Sequence, residues 1–477
     1  MRKKLLLILV VSILGATTLV GCDSSPSTLT TLSTTEGNVS VMKAGTASWI
    51  AAQVVMSLQV GDSVKTGDDS SAEITFFDGS TIELEAGTEI EIASLDISGD
   101  TGSTTITLEQ TIGNTISRVT KLVDPASRYE VETPTGVVAV RGSAMQVYVI
   151  EDGTTYATNL EGDIWAVAQS VELEIPEGQQ CIIRPDQPPE LEVAFADPGL
   201  EAAVREAIAI ATGPIYSSDF GELTRLDASA MNIADLTGLE YAISLSGLNL
   251  AHNEISDISL LANLTSLAEL DLAYNQITDI SPLANLTGLT TVDLWFNRIS
   301  DISPVADLTS LTTLNLVNNQ ISDISPLAGL TSLTDLWLHD NQISDISPLG
   351  GLTGLTGLGL NRNQITDISP LGGLASLMWL WLAHNQITDI SPLAGLTSLT
   401  DLSLHDNQIS DISVLSNLTS LTELGLHSNQ ISDMSPLVQN TGLDTGDIVN
   451  LEANPLSSDS ISIYIPQLQE RGVTVSY

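Results

Sequence analysis

Cysteine occurs only twice in 477 residues, at Cys22 and Cys181. Cys22 closes an apolar leader, so a single thiol remains for the folded part and no intrachain disulfide is available. The core alone has to stabilise the fold. Basic residues are scarce as well: 15 Lys and Arg stand against 59 Asp and Glu, a formal net charge of −44. Nucleic acid is excluded as a partner, since phosphate contacts need a basic surface. The charge reads instead as a solvated, self-repelling surface. Catalytic signatures are missing: G-x-S-x-G, H-E-x-x-H, C-x-x-C and a phosphate-binding glycine loop do not occur. The chain therefore reads as a non-enzyme with no cofactor. Aromatic residues make up only 4%, with six tryptophans, so where they stand is informative. The apolar run at residues 5–20 is short for a membrane span.

What is present begins with that leader. Met1-Arg2-Lys3-Lys4, an apolar stretch and Gly21-Cys22 make a secretory signal. The ending Leu19-Val20-Gly21-Cys22 resembles a bacterial lipobox. The resemblance implies that residues 1–21 are a lipoprotein signal peptide and that Cys22 is diacylated as the first mature residue. The protein is then expected in the cell envelope, lipid-anchored to a membrane and facing outside the cytoplasm. Residues 22–36 are Ser/Thr-rich and are expected to be a flexible tether.

The dominant feature is a 22-residue repeat. Asparagine recurs at Asn253, Asn275, Asn297, Asn319, Asn341, Asn363, Asn385, Asn407 and Asn429. Around it runs the frame L-x-x-L-x-x-L-x-L-x-x-N-x-I-x-D-I-S-P-L, as in Leu308, Leu311, Leu314, Leu316, Asn319, Ile321, Asp323, Ile324, Pro326 and Leu327. The L-x-L pair alternates as a strand does and points leucines inward. The asparagine amide can satisfy the backbone of neighbouring turns. Periodicity of this kind identifies a leucine-rich repeat, in which stacked units share one core. This stretch resembles the internalin family of bacterial surface proteins. The resemblance implies a curved solenoid with parallel strands on the concave side, 3₁₀ turns on the convex side and protein binding on the concave strands. The array is expected over residues 223–456, with a linker and helical cap at 187–222 and a C-terminal cap at 457–477. Asp197-Pro198 starts the helix, with Leu200, Val204 and Ile208 on one face.

Residues 37–186 are dense in strand signals. Ile82, Leu84, Ile90 and Ile92 alternate with Glu83, Glu85, Glu89 and Glu91, and Asp78-Gly79 marks a hairpin. Alternation is expected to put the four glutamates on one solvated sheet face. An all-β module follows. Val60-Gly61-Asp62-Ser63-Val64, Phe77-Asp78-Gly79-Ser80, Thr133-Pro134-Thr135-Gly136 and Val140-Arg141-Gly142-Ser143 resemble the FecR family. The resemblance implies an extracytoplasmic module that relays the state of an outer-membrane transporter to a cytoplasmic regulator. No cytoplasmic part is read from this sequence, which leaves a module for protein or ligand contact.

The positions that the repeat frame leaves open carry the candidate binding residues. Four before the ladder asparagine stand Asp293, Trp337 and Trp381; two before it stand Trp295, His339, His405 and His427; six before it stand Asp335, Trp379, Asp401 and Glu423. Alternation places the three columns on one face. Trp295, Trp337, Trp379, Trp381, His339, His405 and His427 are the expected partner-binding residues, because exposed aromatics on a polar rim mark interaction sites. Trp337 and Trp381 lie two repeats apart, so their rings are expected to span about 10 Å. His405 and His427 on adjacent strands could share a metal with Asp401 or Glu423, but without a fixed third ligand no metal site is assigned. The expected partner is a protein with an apolar centre and a basic rim. The alternatives are an envelope sensory component acting through the FecR-like module, and a polysaccharide-binding accessory protein whose glycan would lie on the tryptophans.

Overall fold

The computed structural model describes residues 29–98, 102–122 and 124–477. The leader, the lipidation candidate Cys22 and the start of the tether lie outside the described residues. The chain divides into two compact units between Leu191 and Glu192.

The first unit is built of strands among the described residues. Its organising element is the long strand Thr104–Arg118. The first part of it pairs with Glu89–Ile97 and Arg128–Glu132, and the part from Gly113 onward pairs with Thr81–Leu84 and Ala144–Val149. One strand thus serves two sheets. Gly113 stands where it changes sheet, with φ 97°, and a Cβ there would collide with the Thr88 backbone. Glycine alone suits both the left-handed backbone and the close approach. Thr88 fastens the bend: its Oγ1 donates to Asn114 O at 3.0 Å and accepts from Asn114 N at 2.9 Å. Ile90, Ile92, Leu108, Val131, Val138 and Val147 are buried in the core of this unit. So is Cys181, whose thiol is pushed up to about 12, first by burial.

Three expectations change here. Residues 30–36, expected in the tether, form the strand Thr30–Glu36, paired with Met56–Leu58 and Ser71–Thr75. Leu32, fully buried, ties it into the core, and its threonines suit a strand. The Pro-rich stretch after residue 186 is not all linker, since Glu190–Leu191 pairs with Gln180–Ile183. The four glutamates do not share a sheet. Glu83 and Glu89 stand on different sheets because the turn between them crosses from one to the other. They are ion-paired with Arg118 and Lys65, each at 2.9 Å.

The second unit opens with the helix Pro198–Ala207, capped by Asp197, whose Oδ1 accepts from Gly199 N at 2.8 Å. Leu200, Ala203 and Val204 join the same buried cluster as the repeat leucines. A parallel sheet of 12 strands follows, from Arg225–Asp227 to Thr474–Ser476. The repeat strands are three residues long, with the central leucine inward and its neighbours outward. Leu314, Leu336, Leu358 and Leu380 stack in register. The chain returns through 3₁₀ turns such as Ser325–Gly329, with proline in the first turn. Asp323 Oδ1 accepts from Ser325 N at 2.8 Å. Such backbone bonds, then those from the serine side chains, hold Asp301, Asp323, Asp345 and Asp389 below the usual carboxylate range.

The asparagine ladder ties one repeat to the next. Asn319 Nδ2 donates to Leu294 O, Leu316 O and Val317 O at 3.0, 3.1 and 3.3 Å, and Oδ1 accepts from Ile299 N at 3.0 Å. The ladder runs one rung beyond the regular period: Asn454 Oδ1 accepts from Ile431 N at 3.0 Å. The residue before each ladder asparagine, from His252 to Ser428, is left-handed, with φ between 53° and 57°. That conformation turns one more side chain per repeat out beside the strand face.

Candidate protein-recognition face

The strand Gly357–Gly359 has no side chain on its outer positions. Its neighbours move into the gap. Trp337 and Trp381, one strand to either side, lean across Gly359 until their ring centroids are 5.2 Å apart. The spacing expected from the strands alone, about 10 Å, is therefore corrected: strand spacing sets ring spacing only where a side chain stands between. His339 completes the group at 5.9 Å from Trp337 and 5.6 Å from Trp381. A Cβ on Gly359 would run into His339 and Trp337. Burial pushes the His339 imidazole down to about 4, against a smaller pull from Asp340. The neutral ring accepts from Asn361 N at Nδ1, at 3.1 Å. Trp381 Nε1 donates to Asp401 Oδ1 at 3.1 Å, which fixes the indole. Trp379, on the same strand, remains 40% exposed.

Trp295 belongs to a second group. Its ring meets Tyr274 edge-on at 4.7 Å, and Tyr274 stacks on Phe296 at 4.9 Å and on His252 at 4.3 Å. Trp295 is 37% and Phe296 48% exposed. Tyr274 and Phe296 occupy the position just before the ladder asparagine, outside the three columns that strand alternation picks out. Below them the outer column turns acidic with Asp227, Asp271 and Asp293, around a shallow cleft of about 640 Å³. There Arg225 reaches over Gly247 to Glu269 at 2.6 Å. Burial, with Asp271 adding to it, raises the Asp293 carboxyl despite hydrogen bonds from Trp295 N and Asn315 Nδ2.

His405 and His427 form a third group with His384. The rings of His405 and His427 stack at 4.2 Å, and His384 meets His405 edge-on at 5.2 Å. The carboxylate beside them is Asp406, not the expected Asp401 or Glu423. Asp401 is engaged by the Trp381 indole, whereas Asp406 Oδ2 lies 3.6 Å from His384 Nδ1 and 3.9 Å from His427 Nε2. Ser403 Oγ is 2.9 Å from His405 Nδ1, but Asp406 faces the other two rings, so these residues do not line up as a catalytic triad. His405 is held below the usual imidazole range, by burial first and then by its two histidine neighbours.

The candidate residues thus fall into three groups along one face. That arrangement presents flat aromatic surface between carboxylates. Among the described residues, no helix is long and apolar enough to cross a membrane.

Comparison with known proteins agrees with this architecture. The family described as Leucine Rich repeats (2 copies) matches residues 243–285, 287–329, 331–373, 376–417 and 397–439, and the family described as FecR protein matches residues 62–164. The fold is similar to that of an internalin (InlF) from Listeria monocytogenes, at 36% identity and a TM-score of 0.52, over 59% of this chain and 91% of that one. Internalin C2 from the same organism is 40% identical over 44% of this chain and 94% of its own, with a TM-score of 0.43. A leucine-rich repeat protein of Leptospira interrogans is 25% identical over 54% and 73%, with a TM-score of 0.49. Among curated proteins none matches the chain.

Proposed function

Through its repeat array, which it combines with a FecR domain, the chain belongs to the internalin family of leucine-rich repeat proteins, and from that premise we propose that it is a membrane-anchored envelope protein that recognises a protein partner on the strand side of the array. One contrast carries the reading. Scaffold leucines such as Leu314 and Leu336 are fully buried, while Trp295, Phe296 and Trp379 stand exposed at positions the scaffold leaves free. Large aromatics so placed are the usual anchors of interfaces. Asp293, Asp335 and Asp401 stand among them, which favours a partner with an apolar centre and a basic rim. Neither the repeat family nor the FecR family is enzymatic. The anchor rests on the lipobox ending in Cys22, which would hold the array outside the cytoplasm.

Two experiments test the parts separately. Cys22→Ala should leave the protein unacylated and free of the membrane fraction; an acylated, membrane-bound variant contradicts the anchor. Trp295→Ala with Trp379→Ala should weaken partner capture from envelope extract. Each interface tryptophan commonly contributes about 2 kcal/mol, or roughly thirtyfold in affinity. Undiminished capture contradicts the face.

A second reading, an envelope sensory component, is favoured by the FecR match. It has a surface of its own: a cavity of about 520 Å³ lined by Arg128, Arg141 and Trp165, with Arg141 over the Trp165 ring at 5.6 Å.

A further inference from the structure

All five histidines of the chain lie in the array, and three of them meet at one place. His384 and Asp406 occupy the left-handed position before successive ladder asparagines, at φ 54° and 53°. His405 immediately precedes Asp406, and His427 lies one repeat further on. A single ligand atom from each of His384, His405 and Asp406 can be chosen so that all lie within 4.8 Å of one another. From these residues we infer a binding site for a divalent transition metal of the zinc type, with His384, His405 and Asp406 as its three protein ligands.

The chemistry of the donors selects the metal. Two imidazoles and one carboxylate suit zinc and its neighbours, whereas calcium and magnesium take oxygen ligands in larger number. In a tetrahedral site with bonds of about 2.0–2.1 Å, ligand atoms lie roughly 3.4 Å apart. The donors here lie within 4.8 Å of one another, with His384 Nδ1 at 3.6 Å from Asp406 Oδ2, and the side chains are partly exposed, so they can turn to close the remaining gap. The backbone beneath them does not need to move. His384 N donates to His405 O, and Asp406 N donates to His427 O, each at 3.0 Å, within the ladder that joins the repeats. A site on such rigid elements is positioned before the ion arrives.

The outer contacts also fit. His405 Nδ1 lies 2.9 Å from Ser403 Oγ, and in the tautomer whose Nδ1–H donates to that hydroxyl Nε2 is free for the metal. Ligating histidines are characteristically fixed by a hydrogen bond at the other ring nitrogen. His427 stacks parallel to His405 at 4.2 Å, so its in-plane lone pairs run alongside those of His405 instead of converging with them. Its Nδ1 is buried without a hydrogen-bond partner, while Nε2 lies 3.9 Å from Asp406 Oδ2. His427 thus packs beside the three ligands without joining them, and the fourth position takes water. The inference does not depend on which partner the face binds.

The excess of carboxylates makes a general affinity for cations the main competing explanation, so the test must tell imidazole ligation from charge. The full protein, without a histidine tag and stripped of metal, is titrated with Zn²⁺ in the presence of millimolar Mg²⁺. Histidine ring signals are followed by NMR. One equivalent of Zn²⁺ should move the rings of His384, His405 and His427 and leave those of His252 and His339 in place. His384→Gln with His405→Gln should weaken the one-equivalent binding at least a hundredfold, while His252→Gln leaves it unchanged. Because the ring signals are read in the unsubstituted protein, misfolding of a variant does not remove the test. Zn²⁺ uptake that Mg²⁺ displaces, that moves all five rings alike, or that survives the double substitution would overturn the site.

Discussion

Asn341 donates to three carbonyl oxygens and accepts from Ile343's counterpart one repeat back, Ile321 N, at 3.0 Å. Alanine there would leave several buried backbone groups without a partner, at about 1–3 kcal/mol each where water cannot reach. Asn341→Ala should therefore lower stability by about 3 kcal/mol or more in urea unfolding. Asp345→Ala, which removes an exposed carboxylate accepting from Ser347 N, should cost far less. Equal losses would contradict the ranking of the buried asparagine bonds above the exposed aspartate bond. His339 makes a prediction in pH. Its folded value, about 4, lies below the ordinary imidazole value of 6.5. The unfolded chain therefore binds the proton more readily between those values. The stability tied to neutral His339 is complete above pH 6.5 and is lost as pH falls from there toward 4. Allowing for partial exposure of the ring, the loss is about 2 kcal/mol. The difference in unfolding free energy between the protein and His339→Gln, followed from pH 7 to pH 4.5, isolates this ring from the many carboxylates. A difference that does not change with pH would contradict its burial.

At the scale of elements, two glycines decide local geometry. Gly359→Ala should push His339 and Trp337 apart, at about 1–3 kcal/mol for an overpacked site, and should be seen as a change in near-ultraviolet circular dichroism. Gly113→Ala should weaken the first unit by about 2 kcal/mol or more, because the left-handed backbone and the Thr88 contact both oppose a side chain. An unchanged melting temperature for Gly113→Ala would contradict its role at the sheet crossover. These elements also show what could be read from the sequence. The repeat strands and turns were legible because period, leucine and asparagine all agree at each copy. The strand Thr30–Glu36 was not, because a Ser/Thr-rich stretch anchored by the fully buried Leu32 looks like a tether until its partners are known. The columns of the site were legible as outward positions. The Trp337–Trp381 contact was not, because it depends on what Gly359 lacks one repeat away. Asp406 escapes for a different reason: strand alternation ends before the left-handed residue that carries it.

At the scale of the whole molecule, the division between Leu191 and Glu192 predicts two separable unfolding events. In calorimetry Gly113→Ala should move one transition and Asn341→Ala the other; a single transition moved by both would contradict independent units. The proposed function makes its own demand at this scale, namely that the partner covers the array and not the β module. The chain contains matched reporters. Trp49 in the first unit is 38% exposed, and Trp295 and Trp379 in the second are 37% and 40% exposed. Equal exposure gives them comparable access to a solvent-borne oxidant before a partner binds. The most direct measurement is hydroxyl-radical footprinting of the protein with and without envelope extract, read by mass spectrometry at these tryptophans. Recognition on the strand face predicts that Trp295 and Trp379 become protected while Trp49 is oxidised as before. Protection of Trp49 with Trp295 and Trp379 still oxidised would contradict it and move recognition to the FecR module.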